Sequence, residues 1–251
     1  MLDYVKYIDI EYDADSTTRA NSLKTALIKC AELMGMTTED ISESSNVIRL
    51  KIIHSLCPED YMVWYCSNPG ENGPNVHIYI APDKDTSTTT SSINKLAQMS
   101  FSNYSSILSN RYRFYCAKSK DGKNVVWGYA NIENSSMDLS YGLMTGKDLN
   151  NDTVKGIYFT KQFIYYYENT NNRLSYEIAN TNITNLTSLV MNKVCVPSIG
   201  FLADSAYTPL MAYPSSAPYD VSMNNKTYLF ASTNGAATGR IAFEVENSKV
   251  N

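Results

Sequence analysis

Short stretches in which apolar and polar residues alternate recur along most of this chain, and clusters of Asn, Asp, Ser, Gly and Pro separate them. A period of two sends successive side chains to opposite faces of an extended strand, so the fold must be framed by short strands and tight turns. Residues 4–12 (YVKYIDIEY) alternate, with Ile8, Ile10 and Tyr12 on one side. Residues 47–54 (VIRLKIIH), 61–66 (YMVWYC) and 76–81 (VHIYIA) read as further strands, with Asn68-Pro69-Gly70 and Gly73-Pro74 as turn signals between the last two. A hairpin is expected from 111–117 and 124–132 around Asp121-Gly122. Two more follow, from 157–168 with 173–180 and from 226–232 with 240–246.

Helical spacing interrupts this pattern. Leu23, Leu27, Cys30 and Met34 follow a capping Asp15 or Ser16 and stop at Gly35. Ile93, Leu96, Ala97, Phe101, Tyr104 and Leu108 predict a second helix, and Thr184 with Leu186, Leu189, Val190 and Val194 a short third. The early order of strand, helix, strand, strand, helix, strand is the split βαβ order of ferredoxin-like sandwiches. The expected fold is therefore α+β: an antiparallel sheet with two helices over residues 1–135, then a β-rich domain over 136–251. Residues 134–153 read as a joining loop. Residues 197–220 (PSIGFLADSAYTPLMAYPSSAPYD) carry four prolines and three tyrosines without a period. They read as an extended arm on a protein surface or a loop over the chain's own sheet.

Composition narrows the function. With 43% hydrophobic and 18% charged residues the chain is too apolar and too weakly charged for disorder. A net charge of −4 exerts no pull on nucleic acid. No apolar run approaches the ~20 residues that cross a bilayer, and no leader-like segment opens the chain, so a soluble protein made in the cytoplasm is expected. The five cysteines, Cys30, Cys57, Cys66, Cys116 and Cys195, are odd in number and irregular in spacing; they read as reduced, mostly buried thiols.

Groupings with catalytic chemistry are weak. His54, Cys57, Cys66 and His77 have zinc-ligand chemistry, but their spacing matches no ribbon or finger. Asp9, Glu11, Asp13 and Asp15 alternate without the glycine turn and distal glutamate of a calcium loop. Gly142 to Asp148 has three residues between its glycines where a phosphate loop needs four, and Asp where it needs Ser or Thr. No catalytic residue, metal or cofactor is assigned.

Aromatic content is the remaining signal. Tyr accounts for 20 residues against 7 Phe and 2 Trp. Tyrosine joins a large apolar ring to a polar tip, which suits contact surfaces. Tyr165, Tyr166 and Tyr167 are consecutive on an expected strand and must point to both of its faces. Tyr207, Pro209, Leu210, Tyr213, Pro214 and Tyr219 recur along the arm. These nine residues are the candidate interaction residues.

With its Asn/Ser/Thr/Tyr-rich character, its lack of targeting signals, its α+β half followed by a β-rich half and its arm at 197–220, the chain resembles structural proteins of tailed bacteriophages. The likeness is to those of tails, baseplates and head–tail connections. It implies a non-enzymatic virion component, a homo-oligomer that contacts copies of itself and adjacent virion proteins, without nucleic acid or membrane as partners. The alternatives are a receptor- or glycan-binding module at a tail tip and a hydrolase working through carboxylates.

Overall fold

A computed structural model describes residues 2–9, 15–54, 57–71, 75–81, 95–100, 112–122, 125–131, 136–159, 162–166, 174–177, 191–196, 200–209, 219–231 and 241–245. In chain order the first elements are β1 (Leu2–Asp9), α1 (Ser16–Leu33), β2 (Thr37–Asp40), β3 (Val47–His54), β4 (Cys57–Ser67), β5 (Asn75–Ala81), β6 (Lys95–Ser100), β7 (Tyr112–Ser119) and β8 (Val125–Asn131). Then come β9 (Ser136–Lys147), β10 (Thr153–Phe159), β11 (Gln162–Tyr166), β12 (Leu174–Glu177) and β13 (Met191–Val196). The last are β14 (Phe201–Pro209), β15 (Tyr219–Met223), β16 (Lys226–Ala231) and β17 (Ile241–Val245). Two compact units form, one from residues 1–7, 115–130 and 134–251, the other from 8–114 and 131–133.

In the unit of residues 8–114, an antiparallel sheet runs in the order β2-β3-β4-β5-β6, and α1 packs on β2 and β3. The helix begins where the Asp15 carboxylate accepts the Thr18 N–H at 2.7 Å. It ends on Gly35 at φ 79, with Met36 N–H bonded to Ala31 C=O and Gly35 N–H to Glu32 C=O, which satisfies carbonyls the helix leaves open. Leu23, Leu27, Cys30 and Met34 are fully buried, as their spacing predicts. In register, Ile48 stands opposite Cys66 and Leu50 opposite Trp64, so one sheet face carries a continuous buried apolar set. Each such side chain contributes about 1.5–3 kcal/mol. The turn at Asn68-Pro69-Gly70 is drawn onto the helix start: Arg19 donates to the Gly70 carbonyl through Nε at 2.9 Å and through Nη2 as well. A Cβ on Gly70 would fall 2.2 Å from the Ser16 carbonyl oxygen, so this approach needs glycine.

In the other unit, a 12-stranded sheet follows the order β12-β11-β10-β9-β8-β7-β1-β17-β14-β13, and a further pairing joins β9 to β14. The pairings β9-β8-β7-β1-β17-β14-β9 therefore close a ring. The closure is a fork on one edge of β14. That edge holds β9 at Leu202↔Lys147 and Ala203↔Gly146, then β17 at Ala206↔Phe243 and Tyr207↔Ala242. Its opposite edge holds β13, which is irregular between Lys193 and Cys195 at the same level. A strand that bends by a bulge can serve two sheets in this way. Met144, Val154, Val196, Phe201 and Phe243 form the buried side of these junctions. β10, β11 and β12 extend from β9 as an antiparallel meander. β15 and β16 turn through Asn224 and Asn225, both at positive φ, the conformation of a tight hairpin turn.

Several sequence expectations are corrected. Among the described residues there is a single helix and most of the remainder is strand, so the α+β sandwich with two helices in ferredoxin-like order does not form. Lys95–Ser100, expected in the second helix, is β6: it satisfies its backbone against β5 (His77↔Gln98, Val76↔Met99), and the open edge of β5 overrides the helical spacing. The rest of that expected helix, including Ile93, Phe101, Tyr104 and Leu108, lies outside the described residues. Val194, expected on a third helix, lies on β13. The expected loop from 134 is mostly β9, whose Gly146 fits the tight junction with β14. Part of the expected arm is also strand: 201–209 is β14 and 219–220 opens β15, with Pro209 at the last position of its strand, where a missing N–H is tolerated. The tyrosine-rich stretch 157–168 is not one strand, because β10 ends at Phe159 and β11 begins at Gln162.

Candidate contact surface

Two large apolar side chains stand out from the described surface, Leu149 at 81% and Leu202 at 45% exposure. Leu149 lies in the turn between β9 and β10. The turn is braced internally: Asp148 Oδ1 accepts the Asn150 and Asp152 N–H groups at 2.9 Å each, and Asn151 N–H donates to the Asp148 carbonyl at 3.1 Å. Lys147 Nζ donates to the Asn151 carbonyl at 3.2 Å and to Thr153 Oγ1 at 2.8 Å. Leu202 comes from β14, opposite Lys147 on β9 and Cys195 on β13. Two residues further along each chain direction, Leu149 lies over Gly200, where a Cβ would fall 2.1 Å from Leu149 Cγ. The two leucines thus belong to one corner of the sheet, on backbone already fixed by pairing and turn hydrogen bonds.

The tyrosine candidates are placed as follows. Tyr165 and Tyr166 lie on β11, Tyr207 and Pro209 on β14, and Tyr219 at the start of β15. Tyr167, Leu210, Tyr213 and Pro214 lie outside the described residues. Registers bring other aromatics together. Tyr158 on β10 stands opposite Phe163 on β11, and Phe163 opposite Tyr176 on β12. Tyr158 also faces Gly142, and Tyr165 faces Gly156. The registers thus line up Tyr158, Phe163 and Tyr176 across β10, β11 and β12. Tyr166, Tyr207 and Tyr219 are not part of that row.

Among the described residues no three His, Cys, Asp or Glu side chains converge as metal ligands would. His54 and Cys57 face each other at one end of the β3–β4 pair, whereas Cys66 lies nine positions along β4. At ~3.3 Å per strand residue that is a separation of about 30 Å, far beyond a shared metal with ~2.3 Å bonds to sulfur. His77 on β5 is in register with Tyr65 on β4. Burial, aided by the negative charge of Glu71, pushes the Cys66 thiol up to about 12. Several described carboxylates are engaged in local contacts. Asp15 is held below its ordinary 3.8 by the Thr18 backbone and side-chain donors. Asp40 feels burial, which raises it, but hydrogen bonds from Lys24 and Ser42 win and hold it below 3.8. Glu244 pairs with Lys226 at 2.9 Å, and Glu43 with Arg49 at 3.2 Å. Among the described residues, the two carboxyls with a resolved displacement, Asp15 and Asp40, both move down.

Gly142 to Asp148 is strand and turn, with the Lys147 ammonium engaged by its own turn. The leucine corner escapes a sequence reading because it joins residue 149 to residues 200 and 202. The one local signal is a leucine among Asp and Asn in a turn. Compared with protein-family models, curated proteins and solved structures, the chain matches none.

Proposed function

We propose that this chain is a non-enzymatic structural protein that acts by assembling with copies of itself and with adjacent proteins, as a virion component of the tailed-phage type made in the host cytoplasm. The observation that carries the reading is the pair Leu149 and Leu202, exposed on a corner whose backbone is already ordered. Apolar groups held in place bind at low entropic cost, because little freedom remains to be lost on contact. The tyrosine-rich sequence supports the same use, since aromatic anchors are enriched in protein contacts.

The test replaces both leucines, Leu149→Ser with Leu202→Ser, and measures self-association and incorporation into particles. Covering the remaining exposed area of each leucine is worth about 1–2 kcal/mol, so the pair should weaken association roughly 30-fold or more. Thermal stability should fall only slightly, by about 1–2 kcal/mol at most, because Leu149 is 81% and Leu202 45% exposed in the free chain. Association at wild-type strength in the double variant refutes the assignment of this corner.

A further inference from the structure

The chain leaves β7 through Ser119, Lys120, Asp121 and Gly122. Gly122 N–H donates to the Ser119 carbonyl at 2.9 Å, and Gly122 stands at φ 69, as a left-handed glycine does in a short turn. The Ser119 hydroxyl donates to Asp121 Oδ1 at 2.6 Å. Ser119 is buried, whereas Asp121 is exposed. One buried residue therefore holds both the carboxylate of Asp121 and the amide nitrogen that follows it.

Those two groups are the reactants of a spontaneous reaction of Asp-Gly pairs. The Gly122 nitrogen attacks Asp121 Cγ; a C–N bond forms, and the carboxyl OH leaves as water with the amide proton. Water then opens the five-membered imide. Breaking the new C–N bond returns aspartate. Breaking the original peptide bond leaves isoaspartate, of unchanged mass, with the main chain of the turn longer by one carbon. No oxidant, reductant or cofactor enters. Glycine favours the attack because it has no Cβ to restrict the nitrogen, and nothing lies within 4 Å of where a Cβ on Gly122 would stand. The nitrogen must turn towards Cγ, but in the folded turn its proton is committed to the Ser119 carbonyl and Oδ1 is tied to the Ser119 hydroxyl. We infer that Asp121-Gly122 is a site of isomerisation to isoaspartate that Ser119 keeps closed in the folded chain and that unfolding opens. Ser119 is its positioning residue, and the modification marks chains that have spent time unfolded.

The test incubates the full chain in mildly acidic buffer, with and without guanidinium chloride, and maps isoaspartate peptide by peptide with electron-transfer fragmentation. Mapping keeps this site apart from Asn72-Gly73 and Asn234-Gly235, whose deamidation also yields isoaspartate. Isoaspartate at position 121 should form at least about tenfold faster in the unfolded chain, the factor expected from freeing a hydrogen-bonded carboxylate and amide. In native buffer Ser119→Ala should raise the rate towards the unfolded value, whereas Ser119→Thr, which keeps the hydroxyl, should stay slow. Gly146→Ala, weakened elsewhere, should react at the wild-type rate while folded, which separates loss of the Ser119 contacts from loss of stability. Equal rates in folded and unfolded wild-type chains would overturn the inference without recourse to any variant. So would a folded Ser119→Ala chain that reacts no faster than wild type.

Discussion

Replacing Gly146 with alanine tests the ring closure directly. A Cβ at this position would lie 2.2 Å from the Leu202 carbonyl oxygen and 2.7 Å from Phe201 Cε2. Cβ atoms in proteins keep about 3.0 Å from such neighbours, so the two backbones must separate by ~0.8 Å. Backbone hydrogen bonds near 2.9 Å do not survive such a displacement well. The registered contacts Ala203↔Gly146 and Leu202↔Lys147 sit at this point. Overpacking of ~1–3 kcal/mol, with up to ~1 kcal/mol for each weakened bond, gives a cost of about 3 kcal/mol. For a protein of this size that lowers Tm by roughly 6–12 °C. Gly122→Ala is the control. Its φ of +69 disfavours alanine, but nothing lies within 4 Å of the added methyl, so the cost is ~1 kcal/mol and roughly 2–4 °C. Thermal unfolding followed by circular dichroism compares the two. A Gly146→Ala midpoint no lower than that of Gly122→Ala would show that β9 and β14 do not meet as described.

Three further outcomes are expected. Trp64→Ala empties the centre of the α1-covered sheet and should cost about 3–5 kcal/mol, read by urea denaturation; a loss under 1 kcal/mol would place the indole elsewhere. Asp15 and Asp40 titrate below 3.8 in the folded chain, so the unfolded chain binds more protons near that pH. Their stabilisation is complete well above 3.8 and is lost as pH falls through their folded values; Asp40→Asn should make the acid limb of the stability–pH curve shallower, and an unaltered limb would contradict the Lys24 and Ser42 contacts. With its thiol near 12, Cys66 is ionised only to roughly one part in 10⁴ at pH 8, so alkylation should label half-exposed Cys195 first and Cys66 only on unfolding; prompt native labelling of Cys66, read by mass spectrometry, would refute its burial.

The local rules succeeded where one segment contains its own signal. Asp15, the spacing Leu23, Leu27, Cys30, Met34 and the stop at Gly35 describe α1 completely, and β3 occupies the predicted 47–54. They failed where a partner strand decides. The helical spacing around Leu96 and Ala97 is outweighed by the free edge of β5. The break between Phe159 and Gln162 has no glycine or asparagine to announce it, so two strands read as one. β14 is masked by Pro209 and by a mixed pattern, because its two halves pair with different neighbours. The contact surface is harder still. Leu149 meets Gly200 only through the β9–β14 register, and Tyr158, Phe163 and Tyr176 come together only through two successive ladders. Composition pointed to tyrosine; pairing determined which aromatic positions stand opposite one another.

Sedimentation velocity of the wild-type chain over a hundredfold range of concentration bears most directly on assembly as its role. Discrete species larger than the 28.1 kDa monomer should appear and grow with concentration. A single 28.1 kDa boundary throughout, unaltered by Leu149→Ser with Leu202→Ser, would contradict self-assembly.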